Sequence, residues 1–430
     1  MSRRSATLGA LISAVGLLAA AGTARADGAF PDSLSLLVPV DRPHRISLAT
    51  NFGLISSNDD GGSWTWVCEG PLTNCSTLYS AAAAPADRLF ALSADSLVFS
   101  DDDACQWTVA GGDVAAGGVV DAFPFAQDAA RVLAVVSPNG VGAATTYTVV
   151  QSHDGGSTFD TVLYTAKGGD LVTGVEASRT DADTIYVTLA AGEAFSPALA
   201  LTADGGTTWH TVDLSATLGA SSGIRLVAVD RTNPMRAFLR VAMPTTEGLA
   251  VFDAATGAVT VPVMFPSGLM TGFVQTAEGP LVVAGRVNSD AGAAFRSVDG
   301  GASWQPVSGA PHVRALAERD GTIYVAADDT ADGYAVGVSK DLGQTFTPLM
   351  RFNQVGSIAA CVRAACQTVC ASEVSAGLWP ASMCTAAPET TAPPKAAGGG
   401  GCATGGAVRA NGLMLGLGVL LAAFASRRRA

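Results

Sequence analysis

Aspartate is the side chain in this 430-residue sequence that recurs at a spacing fit for chemistry. It stands third in SNDDGGSW (57–64), SHDGGSTF (152–159), TADGGTTW (202–209), SVDGGASW (297–304) and SKDLGQTF (339–346), five octets that obey Ser/Thr-x-Asp-x-Gly-x-Ser/Thr-Trp/Phe. Two weaker copies fall between them: SDDDACQW (100–107) lacks the glycine, and VFDAATGA (251–258) keeps only its aspartate. A carboxylate in such a loop can ligate calcium, exchange protons with a substrate, or lock its own turn by accepting backbone amides. No octet carries the spaced oxygen ligands and closing glutamate of an EF-hand, so neither calcium nor any other metal or cofactor is expected. The aspartates concerned are Asp59, Asp102, Asp154, Asp204, Asp253, Asp299 and Asp341, and the turn-locking role is the one their neighbours fit.

The elements that hold these loops follow from the spacing. Successive aspartates lie 43, 52, 50, 49, 46 and 42 residues apart, a period that marks a propeller or solenoid. Gly61, Gly156, Gly206, Gly301 and Gly343 supply the positive φ of a tight hairpin. Trp64, Trp107, Phe159, Trp209, Trp304 and Phe346 can bury a ring where the next strand begins. Two nearly continuous apolar runs precede each octet, as GLIS (53–56) and HRISLA (44–49) do for the first, which suits strands covered on both faces. A third, innermost set is placed at 34–40, 77–84, 118–123, 171–176, 224–229, 269–274 and 312–318, and a fourth starts at each aromatic. The expectation is an all-β, seven-bladed propeller of four-stranded antiparallel blades over residues 27–354. A further apolar run at 356–363 reads as an eighth innermost strand that either closes the ring or caps it.

The octet series resembles the Asp-box repeat of bacterial sialidases, which also occurs in sortilin-type receptors, photosystem II assembly factors and some endoglucanases. That resemblance implies a hairpin between the outer two strands of each blade, on the side away from an active face. It implies a fold far more than a ligand.

The two ends read as addresses. Arg3 and Arg4, the apolar LGALISAVGLLAAAG and Ala24-Arg25-Ala26 have the order of a secretory signal peptide, 1–26, too short in its apolar part for a bilayer span. Removing it takes the formal charge from −12 to −15, which disfavours nucleic acid and anionic lipid as partners. In an exported chain the eight cysteines argue for disulfides. Cys361, Cys366, Cys370 and Cys384 cluster in a segment at 355–384, where two bridges would staple a piece too small to hold itself. Their Cys-x4-Cys-x3-Cys spacing has no Cys-x2-Cys pair or nearby histidine to favour zinc. Cys68 is left to pair with Cys105, tying neighbouring blades, or locally with Cys75.

From 385 to 401 the Pro, Thr, Ala and Gly composition predicts an extended, disordered linker. Cys402, the apolar run at 412–425 and Arg427, Arg428 and Arg429 follow, a short helix with its cations held on the cytoplasmic side. This order resembles the MYXO-CTERM sorting signal of myxobacterial surface proteins. The resemblance implies display at the surface of a Gram-negative outer membrane, with Cys402 as the processing and lipid-attachment residue of a 402–430 tail.

A catalytic set is harder to find. His44, His153, His210 and His312 are scattered over different blades, and there is no nucleophile elbow, His-Glu-x-x-His or phosphate loop. A sialidase should show Arg-Ile-Pro early, and here Arg45-Ile46 is followed by Ser47. It should also bring three arginines to a sugar carboxylate and pair a tyrosine with a glutamate. Arg225, Arg240, Arg286 and Arg314, with Tyr324 and Tyr334, carry no mark of convergence. An inverting endoglucanase needs two separated carboxylates across a cleft. Three arginines or two carboxylates meeting in the central depression would favour an enzyme. Without that, the sequence reads as a monomeric, non-enzymatic platform for a protein or glycan ligand, with membrane contact only through its C-terminal signal.

Overall fold

The structure, a computed structural model, describes residues 32–68, 75–81, 88–93, 96–115, 118–137, 146–288 and 291–385. The signal peptide, most of the linker and the tail with Cys402 lie outside the described residues.

Seven blades form, each with four antiparallel strands taken in chain order, and a short parallel pair, Gly111–Gly112 with Thr158–Phe159, joins blades 2 and 3. Blade 1 is typical, with Ser33–Leu37, Ile46–Thr50, Gly53–Ser57 and Thr65–Cys68. The first strands of blades 2 to 7 are Cys75–Ala81, Gly118–Pro124, Leu171–Ala177, Gly223–Val229, Leu269–Gln275 and Ala315–Arg319. Each lies against the first strands of the neighbouring blades, and that of blade 7 lies against that of blade 1, so the array is a closed ring. The second strands are the driest, as their composition demands. Ile46–Thr50 is buried at every position, and Ile185–Ala191 at all but its last. β-Branched and small residues fill these strands because both faces pack against other blades.

Closure is the work of the segment after blade 7. Ser357–Ile358 adds a fifth strand to blade 1, parallel to Thr65–Trp66 on its outer edge. The run at 356–363 is therefore an outermost strand and not an innermost one. Blade 1 already has an N-terminal strand at the channel, and its outer edge was the free row of amides and carbonyls. Gly356 and Ala359 donate to the Trp64 and Trp66 carbonyls at 3.0 and 2.9 Å. The helix Arg363–Ser375 follows, and Trp379 lands on Trp66 and Phe52 with ring centroids 4.8 and 5.7 Å apart. The segment buries Val355, Ile358, Val362, Leu378, Trp379 and Met383 in the core of blade 1, so more than disulfides holds it.

The cysteine pairing departs from expectation accordingly. Only Cys370–Cys384 lies inside the cluster. Cys366 bridges to Cys68 on the outer strand of blade 1, and Cys361 to Cys105 in the second octet. Cys68 thus pairs with neither Cys105 nor Cys75, because the returning C-terminal segment lies closer to it than either. Cys75 falls in the first strand of blade 2.

Candidate functional site

The octets are the third-to-fourth-strand turns, and five of them share one bonding scheme. In the first, Ser57 Oγ donates to Asp59 Oδ1 at 2.7 Å and accepts the Gly61 amide at 2.8 Å. The amide and hydroxyl of Ser63 donate to the two Asp59 oxygens at 2.9 and 2.7 Å. The same four bonds recur around Asp154, Asp204, Asp299 and Asp341. Hydroxyl and amide donation from Thr208 and Ser303 hold the Asp204 and Asp299 carboxyls down at about 2. For Asp341, burial opposes the shift, yet the Thr345 hydroxyl and amide still bring it to about 2.

Each octet glycine has positive φ and faces apolar neighbours, which for Gly61, Gly156, Gly206 and Gly343 include side chains of the preceding blade. A Cβ on Gly156 would stand 2.6 Å from Phe90 of blade 2. Trp64, Trp107 and Phe159 are buried at this seam, while Trp209, Trp304 and Phe346 are half-buried. The second octet keeps the Asp102 bonds to Ser100 and the Gln106 amide, with Ala104 forced to φ +69° where glycine stood in the others. Asp253 does something else. Its residues pair directly with Ala258 in a tight hairpin, where Thr256 donates amide and hydroxyl to it.

The concave feature is at the centre of the ring. A recess of about 740 Å³ is lined by the first strands of blades 1 and 3 to 7 and by the turns that follow them. In an up-and-down blade the first-to-second and third-to-fourth turns lie at the same end. The recess therefore opens on the face that bears the octets, opposite to the face the sequence resemblance implies.

Its charged wall joins blade to blade. First-strand bulges at Val119/Asp121, Val172/Gly174, Leu226/Ala228 and Met270/Gly272 re-aim side chains along the inner edge. Asp121 of blade 3 accepts the Val175 amide of blade 4 at 3.0 Å. Glu176 of blade 4 in turn accepts the Val229 amide of blade 5. Glu247 takes the Met270 amide at 2.9 Å and a bidentate pair from Arg240 at 2.7 and 2.8 Å. Thr173 and Thr271 donate onward to the Ile224 and Val313 carbonyls at 2.9 and 2.6 Å. Inner-edge amides that would otherwise be orphaned are satisfied this way.

Ion pairs tie the rest. Arg225 reaches Asp121 at 3.3 Å, and Arg231 reaches Glu318 at 2.7 Å. Burial, then the Asp121 charge, push Glu176 up to about 7 against the pull of Arg179, Arg225 and the Val229 amide. Burial also raises Asp121, while Arg225 opposes it. Arg179 is held below its usual value by burial and by Arg231, although its surface is open to water in the recess.

The arginines and carboxylates that the sequence reading looked for thus share a depression, but the set differs. Arg225 and Arg240 line it; Arg286 and Arg314 do not, Arg314 being paired with Asp32 and Asp328 at 2.8 and 2.7 Å. Tyr324 accepts from Arg319 at 3.0 Å outside the recess, and Tyr334 is buried. The histidines stay apart, His44 on Asp60 at 2.6 Å, His312 on Asp332 at 2.8 Å, His153 near Gln151 and His210 exposed. Sequence reasoning missed Asp121, Glu176, Arg179, Arg231 and Glu318. A signal for two of them is the repeated Ser-Arg-Thr-Asp (178–181) and Asp-Arg-Thr-Asn (230–233) directly after first strands. Among the described residues no group of His, Cys, Asp and Glu is arranged to hold a metal ion.

No family model and no curated protein matches this sequence. Solved structures do. The GH74 xyloglucanase from Xanthomonas campestris is similar over 74% of this chain and 53% of its own, at 15% identity and a TM-score of 0.53. The extracellular domain of a putative one-component system from B. thetaiotaomicron is similar over 74% and 42%, at 12% identity and a TM-score of 0.51. YCF48 from Cyanidioschyzon merolae matches over 68% and 92%, at 12% identity and a TM-score of 0.48. What the first two share with this chain is the fold. This chain spans about half the length of the xyloglucanase, so the enzyme contains as much again that has no counterpart in the match.

Proposed function

We propose that this chain is an exported, surface-anchored Asp-box propeller that binds a protein or glycan and performs no covalent chemistry on it. The observation that carries the reading is the commitment of the recess charges. Asp121 and Glu176 hold backbone amides of the next blade, and Arg225 and Arg231 are spent on Asp121 and Glu318. A catalytic carboxylate pair needs free oxygens on both members facing a substrate. The recess volume of about 740 Å³ is nonetheless that of a ligand site.

A second reading, a glycoside hydrolase, draws on one feature. Glu176 at about 7 has the acidity of a general acid or base. The resemblance of the ends to a signal peptide and a MYXO-CTERM tail supports display on a cell surface on a flexible stalk.

The deciding experiment passes surface and matrix extracts, and separately a panel of soluble glycans, over the immobilised chain, and assays the same chain on sialosides, xyloglucan and β-glucans. Saturable retention with no product formation is expected. Turnover abolished by Glu176→Gln would overturn the binding-only reading.

A further inference from the structure

The segment after blade 7 is fastened more heavily than its packing requires. Leu378, Trp379 and Met383 already bury it in the core of blade 1, and three disulfides are added to that contact. Its parallel strand, Ser357–Ile358, is only two residues long.

The order of the bridges traces a path. Cys384, next to the last described residue, is bonded to Cys370 at a sequence separation of 14, so the loop between them carries nothing that is pulled from the C-terminal side. Cys370 and Cys366 stand at i+4 and i on the helix Arg363–Ser375, one turn apart on one face, and both are fully buried. Cys366 is bonded to Cys68, the last residue of the fourth strand of blade 1. A pull applied beyond Thr385 therefore reaches the propeller through two disulfides and a single helical turn. The closing strand and Trp379 lie off that route. Cys361–Cys105 is a second tie, onto blade 2.

The point of entry has a side. Cys68 pairs with Gly53 at the start of the third strand, while the octet lies at the other end of these two strands, beyond the Ser56 and Thr65 pair. The recess opens on the octet face, so a ligand held there and a tether on Cys68 pull from opposite faces of the ring.

We propose that the C-terminal segment is a tension-bearing coupling, which takes the pull of the stalk at Cys68 and presents the recess away from the surface that holds the chain. The inference rests on the surface-anchored reading above and adds how the load is borne. A two-residue strand peeled from its end gives way one hydrogen bond at a time. Covalent bonds along the path keep tension off it.

The test is force spectroscopy on the full-length chain, held by one tag at its C-terminus and another inserted in the exposed turn at Glu193 of blade 4. With the bridges intact, no short step should precede the yielding of the propeller itself. The pair Cys370→Ser with Cys384→Ser should add an early step of about 40 Å, the extended length of the freed loop less the 5.8 Å that the bridge spans. Trp379→Ala weakens the packing and leaves the covalent route, so it should pull like the parent; it decides the matter even where the paired variant folds poorly. The 40 Å step in the parent or in Trp379→Ala, or its absence from a folded paired variant, would overturn the proposal. Cell fractionation separates the two readings: a chain found free in the medium that still pulls as expected sinks anchoring, whereas a failed pulling result for a surface-bound chain sinks this inference alone.

Discussion

Glu176 gives the sharpest test of the channel wall. Its carboxyl is pushed up to about 7 in the folded chain, against an ordinary value of 4.5. Between those two pH values the native state keeps a proton that the unfolded chain has released. Stability therefore falls as pH rises from 4.5 to 7, and stays at its lower level above that. Each pH unit of such a difference is about 1.4 kcal/mol, so the ceiling is roughly 3 kcal/mol. Glu176 stands on the wall of an open recess, where water softens the penalty, and a loss of about 1–3 kcal/mol is the working figure.

The perturbation is Glu176→Gln. Glutamine keeps an oxygen to accept the Val229 amide and carries no charge to bury. At pH 4.5, where the native glutamate is itself neutral, variant and parent should unfold at nearly the same urea concentration. At pH 8 the variant should be more stable by about 1–3 kcal/mol. Urea titrations at pH 4.5, 6 and 8, followed by tryptophan fluorescence, give the difference directly, since the titrating groups that are not coupled to Glu176, as Asp121 is, cancel in it. A difference that does not change with pH, or a variant weaker at pH 8, would refute the account of Glu176 as a charge buried at a cost.

The octets predict the opposite pH limb. Asp204, Asp299 and Asp341 sit at about 2 when folded and near 3.8 when unfolded, so their contribution is complete above pH 4 and is lost as pH falls towards 2. Asp299→Asn should flatten acid unfolding in that window, as followed by circular dichroism. At the octet glycines, Gly156→Ala should cost more than Gly206→Ala. Both incur about 1–2 kcal/mol from positive φ. Only the first brings a Cβ to 2.6 Å from a ring, against 3.3 Å from Leu163, adding about 1–3 kcal/mol in overpacking. Unfolding midpoints of the two variants will rank them. The bridges from Cys68 and Cys105 back each other up. Losing one leaves the ring tied by the other, and the loop released spans only the 37 residues from Cys68 to Cys105 and the five from Cys361 to Cys366. Paired serine substitutions at either bridge should lower stability by about 2–4 kcal/mol, and removal of both by clearly more than the sum, in urea titrations.

The blades were legible in the sequence because each second strand is sandwiched and so reads as an unbroken apolar run. Ile185–Ala191 is one such run, and its burial matches. The octets were legible because a local bonding scheme needs fixed residue types at fixed offsets. Asp253 shows the limit of counting by period: it falls where the array wants an octet, yet Gly257 builds a plain hairpin there. The disulfides were illegible because their pairing depends on where the chain goes after closing the ring, a path set by the free outer edge of blade 1. The recess was illegible for a different reason. Bulges in the first strands break the two-residue alternation, so which of Asp121, Glu176 or Arg225 faces the channel does not follow from position along the strand.

That same network separates stability from function at the channel. Asp121 answers an amide of the next blade and an arginine, so its removal leaves both unmet. Asp121→Ala should cost about 1–3 kcal/mol, the penalty for an abandoned buried donor. Asp41 answers nothing with its buried oxygen, so the fold gains little from keeping it charged. Asp41→Ala should leave the unfolding midpoint unchanged or raise it, because a buried oxygen without a partner costs its desolvation. Urea titrations of the two variants side by side measure the contrast. Should Asp41→Ala prove the more damaging of the pair, its carboxylate would be a strut of the ring, and the account of its buried oxygen as unpartnered would be lost.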